Sequence, residues 1–291
     1  MLVINKGALM KMAVLADIHS NLAALETTLD HIDRWRPDQI LVGGDIINRG
    51  PQPRVCFELV LARAEQEGWP LIKGNHEDYV LSYLKGDWPT SGPAYEIQLH
   101  ARWTFDQMEG LIEPLAALPD EWETEETAGT QIRMVHASML GNRDGIFPWC
   151  TDAELREKMA PAPAVFLVGH THRPLVRTVD DTLIVNVGSV GQPFDRDHRA
   201  AYAQLTLTNG AWTAEIIRLE YDRALTERLF HESGYLAESG DFSRLKLAEF
   251  REARALIPGW YEAYEPAVTS GEMLMKESID RYLHAQEIEG V

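Results

Sequence analysis

Short apolar runs rich in β-branched residues punctuate the first two thirds of the chain: "MAVLAD", "QILVGGD", "PLIKGN", "QIRMVH", "AVFLVGH" and "TLIVNVGS". Runs of this length and content predict buried strands. Between the early ones, Leu22 to Trp35 and Val55 to Gln66 carry apolar residues at helical spacing. Strands alternating with helices predict crossover connections and a largely parallel sheet covered on both faces. Further on, "AAYAQLTLTNGAWTAEIIRLE" alternates with period two around Asn209-Gly210, a strong hairpin signal. The region from about Leu183 to Glu220 is therefore expected to add an antiparallel sheet.

Two regions break the rhythm. Lys85 to Thr130 is rich in Trp, Pro and Glu and has no strand end carrying chemistry, so it is expected to form helices and loops beside the site, as a cap. From Tyr221 the pattern is helical, interrupted near Gly234, Gly240, Pro258 and Gly259. The expected organisation is a catalytic domain over 1–220, with a cap-like insertion at about 85–130, and a helical extension over 221–291. The extension offers no ligand cluster and is expected to serve packing or assembly. Trp260, Tyr261 and Tyr264 are its candidates for an apolar contact, within the chain or between copies in a homo-oligomer.

Composition changes this picture in three ways. At 291 residues the chain can bury a full core, and 45% apolar with 25% charged residues is ordinary for a globular protein. The formal net charge of −18 argues against a broad grip on nucleic acid or an anionic membrane, although bound cations can reverse the sign locally. Cys56 and Cys150 are too few for a disulfide framework and lack metal-ligand spacing, so they are expected to fill the core. The N-terminal stretch lacks the features of a signal peptide, and no segment has the apolar length of a membrane span. A cytoplasmic enzyme is expected.

The chemistry sits at the ends of the strands. "MAVLAD" ends in Asp17, with His19 two residues on; "QILVGGD" ends in Asp45; "PLIKGN" ends in Asn75, followed by His76. "QIRMVH" ends in His136, and "AVFLVGH" ends in His170, with His172 two residues on. If the chain stays extended there, His170 and His172 point to the same side. Each residue has an ordinary reading: Asp17 or Asp45 as a helix cap, Asn75 as a turn residue beside Gly74, His136 as a core histidine. Their recurrence at one strand end after another argues against coincidence, because open parallel sheets bind ligands beyond the carboxyl ends of their strands. Carboxylate, imidazole and amide oxygen without thiolate suit manganese, iron, zinc or cobalt rather than a structural zinc cage.

"DIHSN", "GGDIINRG", "GNHED", "VHAS" and "GHTHRP" resemble, in order, the signature blocks of the calcineurin-like metallophosphoesterases, over about Lys11 to Glu220. "NVGSVGQPFDRDHRAAYAQL" is similar to the ending of the small bacterial branch that includes phosphodiesterases and diadenosine-tetraphosphatase-like proteins. The resemblance implies a four-layer α/β/β/α sandwich, here with a helical C-terminal extension. It implies two divalent or trivalent metal ions, manganese foremost, with iron, zinc, cobalt or nickel as alternatives. Asp17, His19 and His172 would hold one ion, Asn75, His136 and His170 the other, and Asp45 would bridge them.

The implied reaction is hydrolysis of a small phosphorylated substrate, a nucleotide or phosphodiester, by a metal-bridging hydroxide, with His76 as general acid. Two cations about 4 Å apart can clamp a phosphate and acidify water near neutral pH. Arg49 stands where "GDxxxRG" enzymes contact the phosphate; its ordinary reading is an exposed loop charge. Asn48 stands where the protein Ser/Thr phosphatases have an aspartate paired with the histidine equivalent to His76. An amide orients an imidazole but brings no negative charge. That departure argues against a phosphoprotein phosphatase, which remains an alternative beside a dinucleoside-polyphosphate (Ap4A-type) hydrolase. The alternative outside enzymes is a catalytically silent metal-binding scaffold.

Overall fold

The computed structural model describes residues 9–86, 88–124 and 131–291. Its strands are β1 (Met10–Leu15), β2 (Gln39–Val42), β3 (Glu121–Glu123), β4 (Ile132–Val135), β5 (Val165–Val168), β6 (Leu175–Val179), β7 (Thr182–Asn186), β8 (Ala200–Thr208) and β9 (Ala211–Leu219). The helices are α1 (Leu22–Trp35), α2 (Pro53–Glu67), α3 (Asn75–Leu81), α4 (Pro93–Gln107), α5 (Ile112–Ala116) and α6 (Asp152–Lys158). After β9 come α7 (Arg223–Glu232), α8 (Tyr235–Glu238), α9 (Ser243–Glu252), α10 (Ile257–Thr269) and α11 (Met275–Ala285).

Two sheets form, one in the order β2-β1-β8-β9 and one in the order β3-β4-β5-β7-β6. β1 runs parallel to β2, and β4, β5 and β7 run parallel to one another. Period-two alternation then sorts each strand's side chains. Met12 and Val14 of β1 face inward and meet Met134, Leu167 and Val185 of the other sheet in one buried cluster. Ala13 and Leu15 face outward onto Leu25 and Leu29 of α1 and Phe57 of α2. On the far side, Phe166 and Val168 of β5 face Leu155 of α6. Helices, sheet, sheet and helices thus make four layers, as expected. Each fully buried large side chain stabilises the stack by about 1.5–3 kcal/mol relative to exposure.

Local signals set the helix ends. Asn21 accepts a hydrogen bond from the Ala24 N–H and caps α1. Pro53 opens α2, and Gly68, in the left-handed region at φ 73°, ends it.

The strand expectations are corrected at two places. "PLIKGN" makes only an isolated bridge, Leu71 to Val42. The Ile72 N–H still bonds to Val42, but the Lys73 N–H turns away to the Pro119 carbonyl, so the ladder stops. Nor does Leu183 to Glu220 add a sheet of its own. β7 joins the second sheet beside β5, and the β8–β9 hairpin pairs antiparallel with β1, covering the edge that β2 leaves open. Asn209 and Gly210 both have positive φ, as its tight turn requires.

Of the stretch at about 85–130, residues 87 and 125–130 lie outside the described residues. The rest holds α4, α5 and β3, and β3 pairs with β4 at the second sheet's edge. The helices after β9 have a core of their own, in which Phe242, Leu245, Trp260 and Ile279 pack against Ile97 of α4. Trp260 is fully buried and its indole N–H donates to Ser278 Oγ at 3.1 Å, so its contact lies within the chain. Tyr261 remains 40% exposed. No helix among the described residues is long and apolar enough to cross a membrane.

Candidate metal and phosphoester site

Past the strand ends the backbone turns sharply. Asp17, His19, Asp45, Asn48, Arg49, His170 and His172 all sit at positive φ, between 47° and 69°. Such conformations cost non-glycine residues roughly 1–3 kcal/mol each and persist where function demands them. They also correct one expectation: the chain at His170 and His172 is not extended, and the two imidazoles go to different neighbours. Close approach is enforced by glycines. A Cβ on Gly74 would lie 2.1 Å from Asp45 Oδ1, and one on Gly169 would lie 2.4 Å from Asp17 Oδ2.

Two buried ligand groups result, sharing Asp45. Asp17, His19, Asp45 and His172 form one; Asp45, His136 and His170 form the other. In the first, His19 Nε2 and His172 Nε2 face each other at 3.0 Å, with Asp17 Oδ1 at 3.8 and 3.3 Å. In the second, Asn75 Oδ1 lies 3.1 Å from His136 Nε2 and 2.8 Å from His170 Nδ1, and Asp45 Oδ2 lies 3.2 Å from His136 Nε2.

The outer nitrogens fix the tautomers. His136 Nδ1 donates to the Gly43 carbonyl at 2.9 Å, and His172 Nδ1 donates to the Gln192 carbonyl. In the neutral rings, both Nε2 atoms then present lone pairs toward carboxylate and amide oxygens. Acceptors facing acceptors in a buried space call for a cation between them, and Asp17 Oδ1 is buried with no hydrogen-bond partner among the described residues. The donor set therefore fits metal ions. Burial opposes charge on His136, yet the adjacent Asp45 carboxylate outweighs it and pushes the imidazole up to about 10. Burial holds His19 and His76 well below the usual histidine range, reinforced by neighbouring histidines and Arg49.

His76 stands against the first group, its ring centroid 4.9 Å from that of His19. Asn48 Oδ1 accepts the Arg49 N–H at 2.9 Å, which turns its Nδ2 toward His76 Nδ1 at 3.0 Å. An amide nitrogen only donates, so the His76 proton sits on Nε2. Arg49 is buried rather than an exposed loop charge, at 8% exposure. Its Nε donates to Gln192 Oε1 at 2.6 Å and its Nη2 to the Glu249 carboxylate.

Four further residues belong here that the sequence reading did not single out. Glu77 is fully buried and accepts four backbone N–H groups: Asp45 and Gly74 at 2.7 Å on Oε2, Ile46 at 2.8 Å and Ile47 at 3.2 Å on Oε1. Burial and the neighbouring Asp45 carboxylate push its acid up to about 7, against the pull of those donors. Its signal was present as the third residue after the Gly74 helix start, where an acid reaches back to the cap. Gln192 ties His172, Arg49 and the Lys246 carbonyl together. Glu249 and Lys246 come from α9, so the extension reaches the site besides packing on it. Nothing local in the sequence marks those two.

The family model described as the calcineurin-like phosphoesterase superfamily domain matches residues 10–210. An uncharacterized protein of Methanocaldococcus jannaschii, MJ0912, is 29% identical over 228 residues, 72% of this chain and 87% of that protein. Among solved structures, a metallophosphoesterase from Sphaerobacter thermophilus is 27% identical with a TM-score of 0.63, over 84% of this chain and 100% of that one. Hypothetical protein PH1004 from Pyrococcus horikoshii shares the fold at 21% identity with a TM-score of 0.69, over 84% of this chain and 99% of that one.

Proposed function

The chain belongs to the calcineurin-like phosphoesterase superfamily and is a hydrolase of phosphate esters, and we propose that it uses two metal ions to cleave a small phosphorylated molecule. The observation that carries this reading is the pair of buried ligand groups sharing Asp45, beside His76 and Arg49. In it, Asp17, His19 and His172 would hold one ion, Asn75, His136 and His170 would hold the other, and Asp45 would serve both. Bound there, such ions would supply positive charge for the phosphoryl oxygens and water acidic enough to attack near neutral pH.

The protein's own groups do the rest. Arg49, held from behind by Gln192 and Glu249, binds a phosphoryl oxygen without a search through rotamers. His76, oriented by the Asn48 amide, presents Nε2–H to the leaving oxygen and is the proposed proton donor. Asn48 supplies no negative charge to hold His76 as an imidazolium, which in this reading argues against a phosphoprotein substrate and is compatible with a diester or nucleotide polyphosphate. Metal analysis of the purified protein, followed by turnover of a chromogenic phosphodiester with Mn²⁺ supplied, tests the proposal. About two metals per chain and turnover are expected. Two bound metals with no turnover across monoesters, diesters and dinucleoside polyphosphates would leave a silent scaffold instead.

A further inference from the structure

Beside His76 opens a cavity of about 320 Å³ to which the fold and the C-terminal helices both contribute. Its cationic lining is Arg49, Arg143 and Lys246, and among the described residues no carboxylate lines it, in a chain with net charge −18. Lys246 is 3% exposed and, among the described residues, makes no ion pair. The carboxylate nearest in sequence on its helix face, Glu249, is already committed. One oxygen takes Arg49, and the other accepts the Leu256 and Ile257 N–H groups at 2.8 and 2.9 Å. Burial and Arg49 accordingly hold the Lys246 amine well below its usual range. A buried amine without a counter-ion is costly unless a ligand supplies one. His100, from α4, also lines the cavity, and its buried Nδ1 has no hydrogen-bond partner among the described residues.

Apart from Gln98, the remaining walls are apolar or aromatic. Phe242 lies under Lys246 Nζ at 5.0 Å, and the Arg143 guanidinium lies over Tyr79 at 4.5 Å. Ile257 and Tyr261 close the side formed by α10. At ~30 Å³ per water the cavity holds about ten waters, the scale of one compact molecule.

We propose that the C-terminal extension completes the substrate site, with Lys246 and Arg143 binding a second anionic group on a compact ester whose phosphate faces His76 and Arg49. The proposal rests on the phosphoesterase reading for the identity of the first anion. The substrate class is then a small phosphate ester carrying a carboxylate or another phosphate a few bonds from the scissile group.

Two non-hydrolysable probes test it by calorimetry on the metal-loaded protein: phenylphosphonate, and 3-phosphonobenzoate, which adds one carboxylate. The wild type should bind the carboxylated probe about tenfold more tightly or better, the scale of one hydrogen bond to a charged group. K246M should bring that ratio toward one and K246R should keep most of it. R143S, at an exposed position, should reduce it in part. Equal affinities in the wild type, or a ratio that survives in whichever of K246M and R143S folds, overturns the proposal. Hydrolysis of phenyl phosphate is measured separately. Its absence, together with no turnover of diesters or dinucleoside polyphosphates and alongside an intact binding preference, would sink the esterase reading and leave the anion site standing.

Discussion

Glu77→Gln isolates what holds the metal-site loops in place. The replacement keeps size and shape, so no cavity opens, but one of the two carboxylate oxygens becomes an NH₂ group. Each oxygen now accepts two backbone N–H groups, so whichever way the amide turns, two of the four bonds are lost. At about 1.5–3 kcal/mol for each bond to a charged group, the variant should lose about 3–6 kcal/mol. Against a typical total of 5–15 kcal/mol this is a large fraction. It should lower the melting temperature by roughly 6–24 °C, at 2–4 °C per kcal/mol for a large domain. The released pair is either Asp45 with Gly74 or Ile46 with Ile47, and both pairs hold the loop that carries Asp45, so metal content should fall as well. Thermal melting by circular dichroism and metal analysis on the same sample make the assay. A melting point within about 2 °C of the wild type, with full metal content, would show that the carboxylate is not the anchor.

Asp45→Asn removes the carboxylate shared by both ligand groups, so metal analysis should find both ions depleted and activity nearly lost; two metals retained per chain would refute the bridging role. His76→Ala should keep both metals and lose about 10²–10⁴-fold in kcat/KM on esters with alkyl leaving groups, but less on p-nitrophenyl esters, whose leaving group needs no proton; equal losses on both would make His76 a phosphoryl-oxygen ligand instead. Glu249→Gln breaks the buried pair with Arg49 and should raise KM by about tenfold or more, with partial rescue in Glu249→Asp; an unchanged KM would mean Arg49 holds its place without the extension. Chelation should abolish turnover and lower the melting temperature, since ions bound only by the folded protein stabilise it by mass action; turnover by protein shown to be metal-free would exclude a metal requirement.

The sequence by itself carried the strand ends and what stands on them. β1, β2, β4 and β5 lie where short apolar runs predicted strands, and Asp17, Asp45, His136 and His170 follow them within a few residues. Such features are legible because they are local: alternation, strand length and the residue at the strand's end all lie within one short window. "PLIKGN" was misread because its composition suits a strand, whereas its hydrogen bonds are decided by Pro119, far along the chain. The destination of the β8–β9 hairpin was hidden likewise, since its alternation fixes its own pairing and not which open edge it joins. The divergence of His170 and His172 depended on left-handed backbone that no residue type there announces. Lys246 and Glu249 illustrate the limit most sharply. In sequence they are two charges on one helix among many, and only the packing of α9 against the sandwich buries them beside Arg49. Periodicity tells a residue which face of its own element it occupies; what that face meets is decided by the whole chain's burial of apolar surface.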